Sequence, residues 1–221
     1  RDQPRSRGLG DVYKRQILTS LICTAVTAAS VCSLFIADAA SNLNKTYRYY
    51  FDVIAGSGVS SMDAQFRYNF NETDVKKVYI GNLGGTHGFS VLDTGIDISY
   101  NKTPAPSSAG TLMVVSFDAL NNVTNINDIV SVDITSVKNT NGSNISKSKV
   151  SCTSILVGDI NMDGEVLSND LLMLSKYLKG QISLSESQLK AADVDGSFGA
   201  PTQNDSDLLT NYLLGIANLP K

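Results

Sequence analysis

The chain has 221 residues, a formal net charge of −3, no tryptophan and three cysteines. The small net charge argues against nucleic acid as a partner, and the missing tryptophan removes the usual planar platform for sugar binding. So few cysteines exclude a disulfide framework.

Residues 1–16 are expected not to be structure: SRGLGDVYKRQ reads as the translation of a sequencing-library adapter. Residues 17–40, ILTSLICTAVTAASVCSLFIADAA, read as a truncated secretory signal whose small-residue site is Ala37-Asp38-Ala39. A membrane anchor is the alternative, since the run approaches spanning length, but its Ser and Thr content, Asp38 and the Ala-x-Ala ending favour cleavage. Cys23 and Cys32 would leave with the signal, so the mature chain would have Cys152 alone and no membrane segment.

Residues 41–152 carry nine acidic and nine basic groups. Alternation dominates. Met62, Ala64, Phe66, Tyr68 and Phe70 share one face; Tyr47, Tyr49, Phe51 and Val53 repeat the pattern, as do Val130, Val132 and Ile134. Further short strands are expected at Leu112–Phe117 and Val150–Val157, with Gly-, Asn-, Pro- and Ser-rich loops at 81–88 and 101–110. This pattern predicts an all-β antiparallel sandwich, jelly-roll-like, large enough for a packed core but small for most catalytic folds. His87, the single histidine, falls in the loop GGTHGF without a Ser or Cys motif to partner it. Glu72, Asp74, Asp93 and Asp97 offer no spacing that marks a glycosidase pair. SMDAQFRYNF and DIVSVDITSVK are similar to two strands of the jelly-roll shared by cohesins and some carbohydrate-binding modules, although 71–80 departs from the apolar spacing of that family.

Residues 153–157 read as a linker or the last strand, and 158–221 differ in texture, with nine acidic residues against four lysines. In GDINMDGEVLSND, Asp159, Asn161 and Asp163 take the first, third and fifth places of a loop, Gly164 the sixth, Glu165 the seventh and Asp170 the twelfth. This is the spacing of an EF-hand-type calcium loop: a hard cation needs about six or seven oxygens, and alternate side chains converge from a tight curl. Leu167 in ninth place offers no oxygen, so water would fill that position. The chain then repeats itself. Met173, Leu174, Tyr177, Leu178 and Gly180 align with Leu208, Leu209, Tyr212, Leu213 and Gly215. The second loop has one extra residue, taken to be Phe198. Asp193, Asp195 and Ser197 then supply early ligands, Gly199 makes the turn, Ala200 is seventh, Thr202 ninth and Asp205 closes. Two Ca²⁺ ions are implied, the second site being the weaker.

Two such loops, each followed by one helix, resemble the type I dockerin family over 158–220. The resemblance implies a small all-α calcium-binding module that binds a cohesin of a bacterial scaffold protein. It places the cohesin contacts at Ser168, Asn169, Ser175 and Lys176 of one repeat and Gln203, Asn204, Thr210 and Asn211 of the other. The expected protein is a secreted cellulosome component with a non-catalytic sandwich, in the setting of plant polysaccharide degradation and with polysaccharide as a further candidate ligand. A small polysaccharide-acting enzyme and an adaptor with a cohesin-like sandwich are the alternatives.

Overall fold

In a computed structural model of the protein the described residues are 43–120 and 122–220. The adapter-like and signal segments, with Cys23 and Cys32, lie outside them. The described N-terminal part has eight strands: β1 (Lys45–Val53), β2 (Ser61–Tyr68), β3 (Thr73–Ile80), β4 (Thr86–Leu92), β5 (Gly95–Asn101), β6 (Gly110–Ala119), β7 (Val130–Lys138) and β8 (Val150–Leu156). They form two four-stranded antiparallel sheets in the orders β3-β6-β1-β8 and β4-β5-β2-β7. Three helices follow: α1 (Ser168–Leu178), α2 (Glu186–Ala192) and α3 (Gln203–Leu213). The β-sandwich followed by a small helical module is the architecture expected from the sequence.

Alternation explains β2. Met62, Ala64, Phe66 and Tyr68 are buried between the sheets, while Asp63, Gln65 and Arg67 point outward half-buried. Phe70, which alternation puts on the same inward face, lies beyond the strand end and is exposed. At the centre of the core Phe66 meets Tyr49, Phe51 and Phe117 with ring centroids 5.3–5.9 Å apart.

Two departures from the sequence expectation have local causes. β3 forms across 73–80, where the apolar spacing fails, because a bulge between Val75 and Lys77 switches the strand's faces. His87 sits on β4 rather than in a loop, since the turn closes earlier, at Gly84 and Gly85. β8 carries the chain to Leu156, so of the two readings of 153–157 the last strand is the one formed. Cys152 is a free, half-buried thiol on β8, with its pKa pushed up to about 12, chiefly by burial.

Strands β1 and β6 are buried on both faces. Tyr47, Tyr49 and Phe51 of β1 face the sandwich core, while Thr46, Arg48 and Tyr50, on the other face, are buried too. In β6 every residue from Thr111 to Ala119 is buried. The helical module covers that second face. Tyr50, Val114 and Ile155 make a small apolar cluster with Ala191 of α2, joined by Tyr79 and Phe198. Lys190 Nζ pairs with Asp52 at 2.7 Å beside the Tyr50 ring, and the Asn44 N–H donates to Asn218 Oδ1.

Truncating the central ring, Phe66→Ala, should cost about 3–5 kcal/mol, because a fully buried aromatic leaves a cavity. Phe89→Ala, at a side chain 56% exposed on β4, should change stability by less than about 0.5 kcal/mol. Urea unfolding of the two variants checks the contrast.

Candidate metal centres

The first loop is launched from β8. The Val157 N–H donates to the Thr46 carbonyl at 2.9 Å and the Gly158 N–H to the Ala191 carbonyl at 2.9 Å. Gly158 has φ +91°, and a Cβ there would lie 2.9 Å from Val166 and 3.0 Å from Leu209, so glycine is needed both for conformation and for close packing.

The loop then curls around its own carboxylates. Asp159 Oδ1 accepts from the Asp163 N–H (3.1 Å) and Oδ2 from the Gly164 N–H (2.9 Å). Asn161 Oδ1 accepts from the Asp163 N–H, and Asp163 Oδ1 from the Glu165 N–H. Asp170, fully buried in the first turn of α1, reaches back: Oδ1 accepts from Ile160 and Asn161 (2.8 and 2.9 Å) and Oδ2 from Leu167 (2.8 Å). One acid thus caps the helix and closes the loop. Met162 and Gly164 take left-handed backbone angles, φ 64° and 92°.

The second loop repeats the wiring. Asp193 accepts from the Ser197 and Phe198 N–H groups (3.0 and 3.1 Å), Asp195 from Ser197 (3.0 Å), and Asp205 from Asp195 (2.9 Å) and Thr202 (2.7 Å). The register corrects one expectation. Phe198, φ 59°, stands where Gly164 stands in the first loop, each donating to the second oxygen of the first-place Asp. Gly199 therefore does not make the turn. Its N–H meets Ser197 Oγ as that of Glu165 meets Asp163, which puts Gly199 rather than Ala200 in seventh place. The extra residue falls between Phe198 and Thr202. A left-handed phenylalanine is strained, and ring packing on Tyr79, 5.2 Å between centroids, offsets that cost.

Asp193, Asp195 and Asp205 each bring a carboxylate oxygen within 4.8 Å of the others. Like charges at that distance cost about 3 kcal/mol per pair at an effective dielectric near 20. Every carboxylate oxygen that takes one backbone N–H keeps a further lone pair, so this all-oxygen donor set suits a hard divalent cation. In the first loop Asp159, Asn161, Asp163, the Glu165 carbonyl and Asp170 are the corresponding donors; there the Asn161 amide nitrogen donates to Asp163 Oδ2 at 2.7 Å. Burial pushes Asp170 up to about 6 and raises Asp159 and Asp193 as well. Asp195 moves down: burial raises it, but hydrogen bonds from Asn204 and Ser197 outweigh that.

Leu174 of α1 and Leu209, Tyr212 and Leu213 of α3 are buried in the core of this module. Of the sequence-selected partner residues, Asn169, Lys176, Gln203, Asn204 and Asn211 are exposed, and Ser168, Ser175 and Thr210 half-buried. Four are engaged locally. Asn169 Oδ1 accepts from the Asp170 N–H at 3.1 Å. Asn204 Nδ2 donates to Asp195 (2.8 Å), Gln203 to Asp207 (2.9 Å), and the Thr210 hydroxyl to the Ser206 carbonyl (2.7 Å). Two features stand outside the sequence expectation. Helix α2 is signalled by Ser185 and Gln188, whose reciprocal bonds cap it. Arg48, on β1, donates to the second loop's Asp193 and Val194 carbonyls; nothing in its own strand announces that role.

Residues 157–214 match the family described as the dockerin type I domain. This module is a type I dockerin. Among solved structures, the chain is similar to a non-cellulosomal cohesin from Archaeoglobus fulgidus (16% identity, TM-score 0.37, 47% of this chain and 75% of that one). It is also similar to the seventh ScaB type I cohesin of Pseudobacteroides cellulosolvens (12% identity, TM-score 0.38, 52% and 84%). A third is the sixth cohesin of scaffoldin B from Acetivibrio cellulolyticus, solved in complex with a Cel5 dockerin mutant (14% identity, TM-score 0.38, 47% and 83%). The chain matches no curated protein.

The raised carboxyls set the dockerin's pH response. An acid that holds its proton more tightly folded than unfolded stabilises the fold below its unfolded pKa of about 4, a contribution lost as pH rises through about 6. In chelator, melting temperature should therefore fall between pH 5 and pH 7. With excess calcium it should rise over the same interval, since metal ligands must be deprotonated. Thermal melts under the four conditions check both signs.

Proposed function

We propose that the protein is a secreted cellulosome component whose dockerin binds two calcium ions and, so loaded, docks onto a cohesin of a scaffold protein, bringing a non-catalytic sandwich into a complex that acts on plant polysaccharide. The observation that carries this reading is the pair of wired acidic loops, each ending in a buried Asp at the first turn of a helix with polar residues outward. Calcium is the ion of choice because the donors are all oxygen, mostly carboxylate, on a flexible curl. The ligands assigned are Asp159, Asn161, Asp163, the Glu165 carbonyl and Asp170 in one loop, and Asp193, Asp195, Ser197, the Gly199 carbonyl and Asp205 in the other. Thr202 donates its hydroxyl to Asp205 and supports that ligand.

In the sandwich, two of the acids are engaged by neighbouring side chains. Asp97 pairs with Arg67 at 3.3 Å and Asp63 accepts from Ser136 at 2.7 Å.

Docking is tested on the full chain by calorimetric titration with a panel of type I cohesins. A variant changing Ser168, Asn169 and Lys176 together with Gln203 and Asn211 to alanine should bind its cohesin about 100-fold more weakly, with calcium uptake unchanged. Asn204 is left intact because it supports Asp195. Unchanged cohesin affinity in a variant that still takes up calcium would place the recognition face elsewhere.

A further inference from the structure

The two acidic loops differ in what lies behind them. Behind the second is Arg48, a side chain with no exposed surface, reaching out from the sheet face of β1. Its Nη1 donates to the Asp193 carbonyl and its Nη2 to the Val194 carbonyl at 2.9 Å, so one planar fork holds the loop's first two peptide units. A guanidinium removed from water is tolerated only where acceptors and negative charge compensate it, and the Asp193 carboxylate belongs to its immediate electrostatic surroundings. The loop itself makes room. Its fourth place is Gly196, φ 70°, where a Cβ would lie 3.0 Å from Arg48 Nη2. The first loop has Met162 at its fourth place, with nearly the same backbone angle of 64° and an exposed side chain. Among the described residues no side chain donates to the Asp159 or Ile160 carbonyl.

We propose that Arg48 is a resident cation for the dockerin's second loop, supplied by the sandwich, so that this loop keeps its shape without metal while the first loop depends on calcium for its own. Two fixed N–H donors organise the peptide units that carry Asp193 and Asp195, and the positive charge offsets part of the repulsion among Asp193, Asp195 and Asp205. The apolar cluster of Tyr50, Val114 and Ala191, with Tyr79 against Phe198, keeps the fork dry and therefore strong. The inference rests on reading both loops as calcium loops, and it assigns them different behaviour when the metal is withdrawn.

The test is amide hydrogen exchange on the full chain, in chelator and in calcium. In chelator, amides of 193–205 should exchange at least about tenfold more slowly than those of 159–170, a factor of the size that charge-assisted hydrogen bonds supply. Arg48→Met should abolish that difference while β1 and β6 stay protected. Gly196→Met, which gives the second loop the residue found at the same place in the first and crowds Arg48 without removing its charge, should abolish it as well and serves if Arg48→Met unfolds the sandwich. Equal exchange of the two loops in chelated wild-type protein overturns the proposal, as does persistence of the difference in both variants. Calcium should protect both loops in all three proteins. Failure of calcium to protect the first loop, with the second still outlasting it in chelator, removes the calcium reading and leaves the role of Arg48 standing.

Discussion

A guanidinium taken wholly out of water has to be compensated where it lies, and that constraint joins the two modules. Arg48 stands on the outer face of a sheet, where an isolated sandwich would leave it solvated. Here it is covered, and the carbonyls of Asp193 and Val194 take two of its donors, Nη1 and Nη2, while Nε is buried without a partner. The neighbouring positions follow. Tyr50 is buried against α2, Lys190 closes on Asp52, and Phe198 accepts a left-handed backbone to lay its ring on Tyr79. Losing the Asp193 and Val194 carbonyls would strand the Arg48 guanidinium in a buried interface, which ties the docking of the second loop to the sheet face.

Much of this is legible in the residues. The acidic loops follow from Asp159, Asn161, Asp163 and Asp170 alone, because oxygen ligands at alternate places ahead of a helix are what a hard cation requires. Closing the second loop at Asp205 also follows from sequence: moving closure to Asp207 would rotate the apolar face of α3 by about 200° away from its partner. The strand alternation of β2 is equally direct, since one face meets the core and the other solvent.

What is not legible depends on partners distant in the chain. Alternation in β1 marks Tyr47, Tyr49 and Phe51 as inward, and it marks Arg48 and Tyr50 as outward and therefore wet; only a second layer changes that. The unbroken apolar run Leu112–Val115 in β6 is a usable signal, because a strand with one solvated face would interrupt it. Glycine takes left-handed angles most easily, which points to Gly199 for the turn of the second loop. Phe198 takes it instead because Tyr79, more than a hundred residues earlier, rewards the ring for being there. Propensity is a sound prior, and tertiary packing overrides it here.

The joined core predicts that residues 43–220 unfold as one unit rather than as two beads on a string, since no linker separates Leu156 from Gly158 and both modules contribute to one contiguous apolar cluster. Scanning calorimetry of the full chain in calcium measures this most directly. A single transition whose calorimetric and van 't Hoff enthalpies agree is expected. Two separate transitions, with the dockerin melting independently of the sandwich, would contradict it.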